Sequence, residues 1–136
     1  MEATICVTTK QYLKSFINMK IDDLKIFIGY DSKEDIAYRV CKQSLSKNSK
    51  TQLDIKSLKL YELIAKKFYT RGVDPLASTE FTYSRFLIPA LMNYNGWAVF
   101  CDCDFIFFED IKNLFNSLDE NKAIHCVQHD YTPKEK

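Results

Sequence analysis

The run Leu24-Lys25-Ile26-Phe27-Ile28-Gly29, followed closely by Asp31-Ser32-Lys33-Glu34, restricts the fold of this chain more than any other stretch. It is short, rich in Ile and Phe and ended by Gly, the pattern of a buried strand. Asp31 is placed to cap the helix that follows, and Glu34 three residues on is placed to reach back, as in a capping box. The helix is predicted to run to about Lys47, with Ala37, Val40, Cys41 and Ser44 on one face. A strand, a tight turn and a capped helix open an α/β unit.

The remaining segments continue that alternation. Leu53, Ile55 and Leu58 mark a second strand, and residues 61–69 a short helix. Arg71-Gly72-Val73-Asp74-Pro75 is a loop, with Gly and Pro as breakers. Ser78 or Thr79 is expected to cap a helix running to about Asn93, kinked at Pro89, which removes the bond to the Arg85 carbonyl. Gly96 to Asp104 (GWAVFCDCD) reads as the strongest strand. Asp110 caps a last helix with Ile111, Leu114, Phe115 and Leu118 at helical spacing, and Ala123 to Val127 reads as a final strand. Ahead of all this, residues 1–24 read as an N-terminal extension. Ile5 to Val7 is a short strand there and Tyr12 to Met19 a short helix, with Met19 a second candidate start.

Composition narrows the function classes. The chain has 136 residues, room for one core, and 46% of them are hydrophobic, which argues against disorder. Nineteen basic residues balance eighteen acidic ones for a net charge of +1, so there is no electrostatic case for nucleic acid or an anionic membrane. No apolar run approaches the roughly 20 residues of a membrane span, and the N-terminus lacks a signal-like apolar block. Cys6, Cys41, Cys101, Cys103 and Cys126 are odd in number and scattered, which is not a disulfide framework; a reducing, cytoplasmic setting is expected.

The chemistry concentrates at Asp102-Cys103-Asp104. On a strand, Asp102 and Asp104 point to one side, about 7 Å apart, and Cys101 and Cys103 to the other. Paired carboxylates at the end of a buried strand lie where open α/β sheets place ligands, and hard oxygens suit Mg²⁺ or Mn²⁺. Gly29, Gly72 and Gly96 are isolated, so there is neither a dinucleotide fingerprint nor a P-loop. A diphosphate held here needs a cation on the carboxylates, with Arg85 as a forked partner; the alternative for Arg85 is a side chain snorkelling to the surface. His125 and His129, with Cys101, Cys103 and Cys126, match no tight zinc spacing.

Phe27 to Asp31, Ser78 to Phe86 and Trp97 to Asp104, in that order, resemble the nucleotide-sugar glycosyltransferases of the GT-A fold, family 8 type, the group of glycogenin and bacterial lipopolysaccharide galactosyltransferases. The resemblance covers about Lys25 to His129. It implies a three-layer α/β/α nucleotide-diphospho-sugar transferase fold, here incomplete, with residues 25–136 its donor-binding part. Tyr30, Asp31, Arg85 and Asp102 are then expected to contact the donor, a UDP-sugar being favoured, and Asp102 and Asp104 to hold Mn²⁺ or Mg²⁺. The family's metal-binding His and acceptor residues lie beyond the D-x-D strand, so no catalytic base is assigned and the acceptor is unknown.

The function expected on these grounds is metal-assisted transfer of a sugar from a nucleotide-sugar donor. The alternative is a non-catalytic nucleotide-sugar-binding or assembly subunit. An incomplete sheet of this kind is expected to expose apolar surface and to self-associate into a homo-oligomer.

Overall fold

The computed structural model describes residues 24–119 and 121–127. The readings for residues 1–23, Cys6 and His129 fall outside them. Among the described residues three strands form one parallel sheet: β1 (Lys25–Gly29), β2 (Asp54–Leu58) and β3 (Ala98–Cys101), in the order β2-β1-β3. The helices are α1 (Asp35–Asn48), α2 (Leu60–Ala65) and α3 (Ile88–Leu91). This is a small α/β fold. Among the described residues no helix is long and apolar enough to cross a membrane.

β1 is the centre of the sheet, as its apolar run demands. Lys25 to Gly29 pair in register with Asp54 to Leu58 on one side, and Lys25 to Ile28 with Ala98 to Cys101 on the other. Because side chains alternate, Ile26, Ile28, Val99 and Cys101 share one face, and Phe27, Gly29 and Phe100 the other. The first face takes Cys41 and Leu45 of α1, both buried. The second takes Phe81, whose ring lies 6.1 Å from that of Phe100 and so close to Gly29 that a Cβ there would sit 2.7 Å from it. Gly29 is therefore required by the approach of an aromatic ring, not by its own backbone angle.

Several expectations are corrected by this packing. The segment expected as one kinked helix from Ser78 to Asn93 is instead a series of turns, a 3-10 turn at Ser84–Leu87 and the four-residue α3. Pro89 stands in the first turn of α3, where its missing N–H costs nothing, so it starts a helix instead of bending one. Strand β3 stops at Cys101, three residues short of Asp104, because the ladder with β1 ends there. The helix after Asp110 is a 3-10 helix, Ile111–Ser117, although Asp110 does cap it through Lys112 N–H. Residues 123–127 form no strand: no described backbone offers them a ladder, and Ile124 and Val127 are exposed.

Candidate functional site

The order of the strands locates the site. From β1 the chain crosses to β2 on one side, then returns past β1 to place β3 on the other. The carboxyl ends of β1 and β3 therefore flank a topological switch point, the crevice where open parallel sheets bind ligands. Asp31 follows β1 and Asp102 follows β3, so the topology brings these two chain positions to the same rim.

Arg85 is the central cation of that rim. Its guanidinium lies over both Phe81 and Phe100, 5.1 Å from each ring centroid. Nε donates to the Phe81 carbonyl at 3.4 Å, and Nη1 stands 3.4 Å from Asp102 Oδ1. The side chains of Arg85 and Asp102 are only 18% and 22% exposed, so Arg85 does not snorkel to the surface. A guanidinium over two neighbouring aromatic rings in this semi-dry position is held by cation–π attraction and by the carboxylate together.

Asp31 is buried and fully engaged with backbone. Oδ1 accepts from Lys33 N–H at 2.9 Å and Oδ2 from Glu80 N–H at 3.2 Å. It caps the 3-10 turn Ser32–Glu34 that leads into α1, as expected. Glu34 does not complete the box; its carboxylate accepts from the Cys103 thiol at 3.1 Å. Burial and that carboxylate push the Cys103 thiol up to about 12.

Tyr30 turns to the α1 side of the sheet. Its hydroxyl donates to Asp35 Oδ1 at 3.1 Å, its ring meets that of Tyr38 edge-on, and Lys59 Nζ lies 4.8 Å from its centroid. Asp104 is exposed in the turn after β3. Among the described residues no group of three or more His, Cys, Asp or Glu side chains converges to hold a metal. Because β3 ends at Cys101, strand alternation does not place the Asp102 and Asp104 carboxylates on one side, as the D-x-D reading expected.

A cleft of about 230 Å³ opens beside Asp31, lined also by Lys33, Leu60, Tyr69, Asp74 and Tyr83. Its wall is built by a loop that the sequence marked only as a break. The Tyr83 hydroxyl donates to Asp74 Oδ2 at 2.9 Å, and Asp74 Oδ1 accepts from Leu76 N–H at 2.9 Å. The Arg71 guanidinium stacks 4.1 Å over the Tyr83 ring. The N–H of Leu76 and the Tyr83 hydroxyl hold the Asp74 carboxyl below its ordinary value, and Asp74 raises Tyr83 in turn. A loop motif at 71–75 and a tyrosine eight residues later carry no spacing signal that would pair them. A larger groove, about 600 Å³, runs between α1 and residues 106–108. It is lined by exposed Ile36, Val40, Ile106 and Phe108 and by none of the aspartates above.

Comparison with known proteins changes one conclusion. No family model matches the chain, and no solved structure matches it. It is similar to a curated protein, Protein CDI of Arabidopsis thaliana, with 50% identity over 111 residues, 82% of this chain and 43% of that protein. The chain thus spans less than half the length of this relative. The assignment to the family 8 glycosyltransferases is overturned by these findings. The three motifs behind it are a strand ending near a capping Asp, an Arg on a helical turn, and carboxylates after a buried strand. Any open parallel sheet tends to present such residues at its ligand-binding rim, so their order is not specific to one family.

Proposed function

We propose that this chain binds a nucleotide sugar at the β1–β3 switch point and takes part in transferring the sugar to an acceptor with the help of Mn²⁺ or Mg²⁺. The observation that carries the reading is the Arg85–Asp102 pair, a largely buried cation and carboxylate 3.4 Å apart at the carboxyl end of β3. A pair of this kind suits a diphosphate: the guanidinium takes phosphate oxygens in a forked contact, and the carboxylates take the cation. The cleft beside Asp31 is of a size for the base and ribose, with Tyr83 in its wall and Arg71 stacked on that ring. Tyr30 enters as a positioning residue that holds the start of α1 through Asp35.

In this reading Arg85 binds and orients the diphosphate, and the two aromatic rings beneath it keep the guanidinium from swinging into water. Asp102 and Asp104 would hold the metal, which would offset the charge that develops on the departing diphosphate. A three-layer α/β/α sandwich is the fold this activity calls for.

Calorimetry with UDP- and GDP-sugars, with and without Mn²⁺, tests the proposal. Metal-dependent binding supports it, and hydrolysis or transfer in the same mixture makes the chain an enzyme. Metal-dependent binding without turnover assigns it to donor binding alone. No nucleotide binding at millimolar concentration, or binding indifferent to chelator, removes the reading.

A further inference from the structure

Behind the candidate site, on the opposite face of the sheet, two thiols meet. Cys41 of α1 and Cys101 at the end of β3 are 60 residues apart in sequence, yet their Sγ atoms lie 4.0 Å apart. Both residues are buried, at 0% and 2% exposure. Cys41 Sγ is also 4.0 Å from the Asp102 carbonyl oxygen, so the contact sits directly under the residue that begins the site.

We propose that Cys41 and Cys101 are an oxidation site, which a hydroperoxide converts into an intramolecular disulfide tying α1 to the end of β3. In the first step the Cys41 sulfur attacks a peroxide oxygen and the O–O bond breaks. The product is a sulfenic acid on Cys41, and the departing hydroxide takes the thiol proton and leaves as water. In the second step the Cys101 sulfur attacks the Cys41 sulfur. The S–O bond breaks, and hydroxide leaves with the Cys101 proton as a second water. Two thiols and one hydrogen peroxide thus give one disulfide and two waters.

Geometry selects this pair over the others. A disulfide requires sulfurs about 2 Å apart on carbons about 3.5–4.5 Å apart. Of the described cysteines, Cys41 and Cys101 have their thiols already at van der Waals contact on two facing elements. The Cys103 thiol is occupied by the Glu34 carboxylate. Cys41 sits on α1, outside the sheet, while Cys101 is held within the β1–β3 ladder; local opening of α1 exposes Cys41 first, which makes it the attacking sulfur. Because both thiols are covered, the oxidant must be small. A peroxide, close to water in size, enters through local opening of the packing, and a bulky disulfide does not.

The test uses the full chain, reduced, freed of reductant and treated with hydrogen peroxide. Remaining thiols are then alkylated in denaturant and mapped by peptide mass spectrometry. The expected product has lost two hydrogens and contains a peptide linked between Cys41 and Cys101, while Cys103 and Cys126 are alkylated. Dithiothreitol restores both thiols. In Cys101→Ser the linked peptide is absent and dimedone traps a sulfenic acid on Cys41. In Cys126→Ser the link forms as in the parent. A bond that uses Cys103, Cys126 or Cys6 instead overturns the proposal. So does full alkylation of Cys41 and Cys101 after peroxide treatment, or a Cys41 that goes on to sulfinic acid with Cys101 unlinked. The parent chain alone decides the matter if a variant fails to fold.

Discussion

Asp31 and Glu80 tie together the two loops that form one edge of the candidate site. Asp31 Oδ2 accepts the Glu80 N–H at 3.2 Å, and Glu80 Oε1 answers by accepting the N–H of Ser32 at 3.2 Å together with the Ser32 hydroxyl. Each carboxylate thus satisfies backbone donors on the opposite loop, 48 or 49 residues away in sequence. The cleft beside Asp31 has its shape because this clasp holds residues 79–81 against the start of α1.

The clasp has a measurable stability. Asp31→Ala leaves the Lys33 and Glu80 N–H groups without their acceptor and is expected to destabilise the chain by about 1–3 kcal/mol. Glu80→Ala is expected to cost less, since Ser32 is exposed and water replaces the lost partner. Urea unfolding followed by circular dichroism checks both. The midpoint should fall with the slope unchanged, and equal midpoints for Asp31→Ala and the parent would contradict the assignment.

Gly29→Ala is expected to be disruptive for a reason of space. The new methyl would stand 2.7 Å from the Phe81 ring, and overpacking of this kind costs about 1–3 kcal/mol. Phe81→Leu in the same chain should recover part of the loss, because the smaller side chain gives way. A double-mutant cycle of unfolding free energies measures that coupling; additive losses would place the clash elsewhere.

Arg85 and the aspartates are predicted to separate in a binding experiment. Arg85→Ala should weaken nucleotide-sugar binding by about 1.5–3 kcal/mol if its contact is charge-assisted. Arg85→Lys should restore only part of it, because an ammonium lacks the fork. Asp104→Ala, on an exposed turn, should leave folding intact and abolish the dependence of affinity on Mn²⁺. Titration calorimetry with and without chelator reads all three. A metal dependence that survives Asp104→Ala would remove that residue from the metal site.

Alkaline pH should destabilise the chain partly through Cys103. Its thiol is raised from 9.0 to about 12 in the folded state, so above pH 9 the unfolded chain releases a proton that the folded chain keeps. The contribution is therefore fully present below pH 9 and is lost as pH rises from there toward 12. Tyr30 and Tyr83 are also raised and add to the same trend. Cys103→Ser retains a donor for Glu34 but does not titrate in this window. Its stability should fall less steeply with pH than the parent's, and parallel slopes would count against the Cys103 contribution.

How much of this was legible beforehand depended on the range of the forces involved. β1, β2, α1 and the caps at Asp31 and Asp110 follow from local patterning: apolar runs, helical spacing and short polar side chains next to the N–H groups they serve. The long helix expected from Ser78 to Asn93 follows from the same patterning and is absent. There the approach of Phe81 to Gly29 and Phe100, and the preference of Pro89 for a first turn, outweigh helical propensity. Strand lengths were beyond local signals too. β3 ends at Cys101 because β1 offers no further ladder, although the run through Asp104 alternates like a strand.

At the site, residue types were readable and pairings were not. Arg85, Asp102 and Asp31 stand out in the chain by chemistry alone. That Arg85 lies over two rings and faces Asp102, that Glu80 answers Asp31, and that Tyr83 closes on Asp74 came only from the folded backbone. The same holds for the contact of Cys41 with Cys101. A hydrogen bond, an ion pair or a thiol contact acts over a few ångströms of space, and distance along the chain does not encode it. Sheet order is the link between the two: once β3 is laid beside β1, residues 60 or more positions apart become neighbours, and their chemistry becomes one site.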